Sequence, residues 1–168
     1  MRTNSTRMNN PYINTLQIID ITHRPLDFYL TVPHGLFGIQ GGLDFSRIKP
    51  ISFTADNIEH IREVCFNAWG CESLPIDSQC SANRNMYGFI TSGGTPHKVM
   101  TRLAAIINEN ITMVSYNPHG EDCYILSVFP RTRELQIFPS QYRDLTRFDI
   151  QMIDRIYERN ENMFTNNN

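Results

Sequence analysis

The residues of this chain that could do chemistry are four cysteines, at 65, 71, 80 and 123, and five histidines, at 23, 34, 60, 97 and 119. A cysteine protease or deamidase needs a thiolate, a histidine to take its proton, and a carboxylate or amide to orient the ring. Cys71, in the run Trp69-Gly70-Cys71-Glu72-Ser73, could serve as nucleophile, with His97 or His119 as base and Asp122 as the orienting carboxylate. No catalytic set is favoured; were the chain an enzyme, Cys71, His119 and Asp122 would be its triad. Against it stands core filling: Cys65 and Cys71 fall near the end of a helical pattern whose apolar face needs filling, and free cysteine is among the most buried residue types. Metal ligation fits less well. Successive cysteines are six, nine and forty-three residues apart, without the close Cys-x-x-Cys knuckle of zinc sites, and no histidine pairs with another at helical spacing. No metal and no cofactor is expected.

Two other stretches carry chemistry of a softer kind. Ser92-Gly-Gly-Thr-Pro-His-Lys98 brings backbone amides, a helix start and a lysine together, as an anion site would, but lacks the Walker spacing, and a turn followed by a helix cap explains every residue in it. In the last forty residues Arg131, Arg133, Arg143, Arg147, Arg155 and Arg159 are interleaved with Phe138, Tyr142, Phe148 and Tyr157. Arginine and tyrosine are enriched at protein interfaces and their hot spots. Arg143, Arg147, Arg155, Tyr157 and Arg159 are therefore the expected partner-binding residues. The bland reading is a solvated helix face, although Asp154 with Glu158 and Arg155 with Arg159 are like-charge pairs four apart and mildly unfavourable.

The elements that must position these residues can be read from periodicity. Thr15–Ile21 and Asp27–Val32 read as strands that form a hairpin, and the glycine-rich stretch from Pro33 to Pro50 reads as a loop. Ile58, Ile61, Val64, Cys65 and Ala68 recur at helical spacing, with Thr54 or Asp56 as N-cap and an end near Gly70. Residues 71–85 read as turns and Met86–Thr91 as a strand. Thr95 as N-cap with Pro96 in the first helical position opens a helix through Val99, Leu103, Ile106 and Ile107. Strands follow at Ile111–Tyr116, Tyr124–Phe129 and Glu134–Phe138, then a helix opened by Thr146-x-x-Asp149 with Phe148, Met152, Ile153 and Ile156 on one face. The expected fold is α+β: one compact domain with a mainly antiparallel sheet and about three helices. Its expected bounds are 13–160, with flexible segments at 1–12 and at 161–168, the Asn-rich tail.

Composition limits what such a domain does. The formal charge is −2 at pH 7 and the pI about 6.2, which argues against a nucleic-acid binder with a basic face. Sparse cysteines fit a reducing compartment. No run approaches the eighteen apolar residues of a membrane span, and the N-terminus lacks the apolar core of a secretory signal. Lys49 and Lys98 are the only lysines among 15 basic residues, where roughly ten would be ordinary at this length. A GC-rich genome that replaced lysine by arginine would also suppress asparagine and isoleucine, and the chain holds 16 Asn and 19 Ile. Lysine alone offers the amine that ubiquitin ligases modify, so its scarcity suits a protein that must persist in a eukaryotic cytosol. The polar, acid-free leader Met1–Asn10 suits export in an unfolded state.

Tyr124–Ser140 resembles the hairpin of papain-like bacterial effector proteases and deamidases, and Gly38–Leu43 resembles their nucleophile turn. That resemblance implies a thiol enzyme, but Gln40 stands where the cysteine belongs, Asp122 or Cys123 where the histidine belongs, and Pro139 where the aspartate belongs. In size, lysine poverty and polar leader the whole chain resembles the EspH-like type III secretion effectors of attaching and effacing enteric bacteria. This second resemblance implies a non-enzymatic effector in the host cytosol, at the membrane periphery, served by a secretion chaperone during export. It implies that the effector binds a host protein such as a Rho guanine-nucleotide exchange factor, blocks Rho GTPase activation and disturbs the actin cytoskeleton. A thiol-dependent effector enzyme and a viral or mobile-element accessory protein are the alternatives.

Overall fold

The computed structural model describes residues 10–18, 43–52, 57–80 and 86–165. In chain order its elements are β1 (Pro11–Ile18), α1 (Phe45–Ile48), α2 (Ile58–Trp69), β2 (Ile76–Cys80), β3 (Met86–Ser92), α3 (His97–Ile107), β4 (Ile111–Tyr116), β5 (Cys123–Phe129), β6 (Glu134–Ser140), a 3-10 turn (Tyr142–Asp144), α4 (Arg147–Arg159) and α5 (Glu161–Phe164). The six strands form one sheet in the order β2-β3-β1-β4-β5-β6, with every neighbouring pair antiparallel. This is the α+β fold with a mainly antiparallel sheet that the sequence predicts. The expected strand at Asp27–Val32, the leader to Asn9 and Gln40 lie outside the described residues. β1 is no hairpin partner for a neighbour in sequence: its two edges are taken by β3 and β4.

Strand alternation sorts the core into two layers. On one face, Leu16, Phe89, Met113 and Leu126 pack under Phe45, Trp69, Val99, Met100 and Leu103 of α1, α2 and α3. Phe45 sits edge-on to both Trp69 and Phe89, with centroids 5.6 and 5.8 Å apart, and the Trp69 indole N–H donates to the Lys49 carbonyl at 2.9 Å. On the other face, Ile13, Ile90, Val114 and Cys123 meet Met152, Ile153 and Ile156 of α4 and Phe164 of α5. Because helices cover both faces, β3 is buried at all seven positions and shows no polar alternation. The central strands still bury polar side chains, Thr15, Thr91, Ser92, Ser115 and, at the middle of the group, Asn14. Its amide donates to Thr91 Oγ1 at 2.9 Å and its carbonyl accepts from Ser115 Oγ at 2.7 Å, which meets the requirement that buried polar groups be hydrogen-bonded.

The helices open and close by local chemistry. Asn57, rather than Thr54 or Asp56, caps α2, its side chain accepting from Glu59 N at 2.8 Å. α2 ends at Gly70, whose φ of 89° is left-handed and natural to glycine. α3 starts one residue later than the sequence implies: Pro96 occupies the cap position and Thr95 contributes its carbonyl, not its hydroxyl, to His97 N at 2.8 Å. Lys98 Nζ donates to the Asn67 carbonyl in the last turn of α2 at 3.1 Å, a site where helix geometry leaves carbonyls unpaired and favours a cation. Two elements form where the sequence reads as turn or loop: β2, whose Ile76-Asp-Ser-Gln-Cys80 is polar, irregular between Ile76 and Gln79, and bent at Asp77 with φ of 48°, and α1, four residues in the glycine-rich stretch. The folded body also exceeds its expected bounds, since Tyr12 is buried and Phe164, beyond residue 160, is buried against the sheet side of α4.

Candidate functional site

α4 is fixed at its start by a reciprocal cap. Thr146 Oγ1 accepts from Asp149 N at 3.2 Å and donates to Asp149 Oδ2 at 2.6 Å, while Thr15 Oγ1 of β1 donates to Asp149 Oδ1 at 2.6 Å. Asp149 is buried, so the acid that caps the helix also ties it to the central strand. Farther along, Met152 and Ile156 lie against Gly88, where a Cβ would stand 2.6 Å from Ile156 Cδ1 and 2.7 Å from Met152 Cγ. With this side held, α4 turns Arg147, Phe148, Gln151, Arg155 and Glu158 to solvent. Phe148 does not join the apolar face that the sequence assigns it to. It is 68 % exposed, and Arg147 and Arg155 of the same helix are exposed too and form no ion pair or hydrogen bond with any described residue. Arg143, on the 3-10 turn before α4, is likewise exposed and unpaired among the described residues.

Arg159 is different. Its guanidinium binds Asp77 of β2 at 3.0 Å, and Asn160 donates to the second Asp77 oxygen at 2.6 Å. The like-charge pair Arg155/Arg159 is thus relieved inside the chain, and Arg159 serves to pin the end of α4 to the sheet edge.

Tyr157 lies on the other flank of α4, in an open cleft of about 200 Å³ lined by Tyr116, Pro118, Tyr142, Ile153, Asp154 and Tyr157. Tyr116 ends β4 and Tyr142 opens the 3-10 turn, their ring centroids 5.1 Å apart at 41°. The Tyr142 hydroxyl donates to Asp154 Oδ1. Tyr157 stacks on Phe164, with centroids 5.2 Å apart, and Phe164 in turn meets the ring of His119 at 6.3 Å. Burial pushes the Tyr142 hydroxyl well above the ordinary phenol range, and the bond to Asp154 adds to it. Burial raises Tyr116 as well, helped by Glu121 and, more weakly, by Asp154. Tyr116 and Tyr142 therefore stand as neutral phenols in a negative field.

The thiol set does not assemble. Cys71 is fully buried in the layer under α2 and α3, its Sγ donates to the Ser73 carbonyl at 3.4 Å, and burial pushes its thiol up to about 12. His119 stands at the other layer, against Phe164. Asp122 is exposed in the β4–β5 turn, where its carbonyl accepts from Asn117 N at 2.8 Å, and it forms no ion pair with His119. His97, the other base considered, turns Nδ1 to the Thr95 carbonyl at 3.1 Å. The anion reading of Ser92–Lys98 meets Glu72, whose carboxylate lies over Gly93, 2.4 Å from where a Cβ would be. No group of three His, Cys, Asp or Glu side chains among the described residues converges as metal ligands would, and no described helix is long and apolar enough to cross a membrane.

Of the five expected binding residues, Arg143, Arg147 and Arg155 are exposed and unpaired among the described residues, Tyr157 lines the cleft, and Arg159 is committed to an internal bond with Asp77. Sequence reading missed the cleft because its rings come from a strand, a turn and a helix; the recurrence of tyrosine at 116, 142 and 157 was the only signal. No protein-family model, curated protein or solved structure matches this chain.

Proposed function

We propose that this protein is an effector that acts by contact: delivered into a eukaryotic cell, it binds a host protein through the outer face of α4. The observation that carries the reading is the crest Arg147, Phe148 and Arg155 on one helix, an exposed aromatic ring and two exposed cations that have no ion pair or hydrogen bond among the described residues. Truncating an interface aromatic or arginine commonly costs at least 2 kcal/mol where it acts as a hot spot. Lysine scarcity supports the cytosolic setting, and the EspH-like resemblance directs the search to regulators of Rho GTPases, including guanine-nucleotide exchange factors, and so to actin. The buried, proton-holding Cys71 gives an enzymatic reading no support.

The test is a pull-down from host-cell lysate with the full chain and with Arg147→Glu/Phe148→Ser/Arg155→Glu. The expected result is a host protein held by the wild type and lost by the variant at unchanged melting temperature; equal capture by both would overturn the reading. Delivery is tested separately by removing residues 2–9, which leaves β1 whole. A C-terminally tagged chain lacking them should no longer enter host cells, and undiminished entry would contradict the role assigned to the leader.

A further inference from the structure

The Tyr116/Tyr142/Tyr157 cleft has the composition of a cation site rather than of a greasy pocket. Aromatic faces attract a cation through the ring quadrupole, best where the cation is partly desolvated. Three tyrosine rings line this cleft, with a carboxylate, Asp154, on its wall. Among the described residues no lysine or arginine lines it, so none of them cancels the negative field acting on Tyr116 and Tyr142. At about 200 Å³ the cleft falls below the roughly 300 Å³ at which pockets hold whole small ligands, and suits the end of one side chain. The fixed rings make it preorganised: Tyr157 is backed by Phe164, and Tyr142 is tethered to Asp154.

The tether also selects the kind of cation. A guanidinium binds a carboxylate best through two parallel hydrogen bonds that use both oxygens. Here the Tyr142 hydroxyl occupies Asp154 Oδ1, which leaves one oxygen for a ligand. A compact ammonium needs only one, and methyl groups on the nitrogen would lie against the tyrosine faces.

We propose that this cleft binds the methylated ammonium end of a lysine side chain presented by a partner protein. The proposal rests on the contact reading above and deepens it. By helix geometry Asp154 and Arg155 point about 100° apart, so a partner would set its ammonium beside Asp154 and an acidic patch across Arg147 and Arg155.

The experiment titrates the full chain with Nα-acetyl-dimethyllysine methylamide, the arginine analogue and a neutral isostere with carbon in place of the ammonium nitrogen, following Tyr and Asp154 resonances by NMR. Expected are shifts confined to Tyr116, Tyr142, Tyr157 and Asp154, binding about tenfold weaker for the neutral isostere, and a similar loss in Asp154→Asn, whose exposed position spares the fold. Tyr142→Phe keeps the ring and frees Asp154 Oδ1, so it should raise the affinity for the arginine analogue relative to dimethyllysine. Equal binding of the charged and neutral probes, shifts elsewhere on the surface, or no shift at millimolar probe would overturn the proposal. Such a failure would leave the pull-down with the Arg147/Phe148/Arg155 variant standing by itself, so the two readings fall separately.

Discussion

At Cys71 the surroundings remove what a nucleophile needs. Thiolate reactivity requires a lowered thiol pKa and access, and burial drives this thiol the opposite way, to about 12, as it drives Cys123 to about 11. Both values lie above the 9.0 of a free thiol, so the folded chain keeps protons that the unfolded chain has begun to lose. The stability linked to them is complete below about pH 9 and falls as pH rises toward 11 to 12. Urea midpoints should therefore decline steadily from pH 9 to pH 10.5, with a shallower decline in Cys71→Ala; a midpoint that rises over this interval would refute the assignment. Native Cys71 should also resist alkylation at pH 8 at any urea concentration below the unfolding transition. The sequence placed Cys71 correctly as core and left the triad as its rival. What decided between them was which face of the sheet each residue reached, and that depends on strand order, which residue types do not encode.

Among the elements, α4 joins the fold to its proposed use, because the bonds that fix its inner side determine which residues its outer side presents. Thr146→Ala removes the cap hydroxyl and should cost about 1 kcal/mol. Asp149→Ala leaves the Thr15 hydroxyl buried without its acceptor and should cost about 1–3 kcal/mol; the two losses should not add, since they share one network. Gly88→Ala places a methyl where Met152 and Ile156 already lie and should cost about 1–3 kcal/mol through overpacking. Chemical unfolding of the three variants checks these values, and Gly88→Ala as stable as wild type would mean that α4 sits farther from β3 than described. The capping signature at Thr146-x-x-Asp149 and the periodicity of α2, α3 and α4 were legible because local chemistry sets them. β2 was not, because its residues favour turns and it becomes a strand only by pairing with β3. Phe148 departs from the sequence expectation for a related reason: it follows the apolar rhythm of the helix, but it stays exposed in the first turn while Met152 and Ile156 are buried against the sheet.

For the whole molecule, the placement of β1 at the centre of the sheet sets what truncation can test. A chain lacking residues 2–9 retains both of its ladders and should unfold within a few degrees of wild type, whereas one lacking residues 2–18 loses the strand between β3 and β4 and should show no cooperative transition by circular dichroism. The two-layer core leaves the cleft and the arginine crest on the α4 layer, away from buried Cys65 and Cys71 on the other. Charge and lysine content, legible from the first, bear on where the protein is proposed to work; the cleft proposed as its contact site emerged only when residues 116, 142 and 154 met in space. The claim that function resides in contact is tested most directly by the dissociation constant of the captured host protein, measured by calorimetry for the wild type and for Arg147→Glu/Phe148→Ser/Arg155→Glu. With two or more hot-spot residues removed, the predicted weakening is about a hundredfold or greater. Equal constants for the two chains would contradict it.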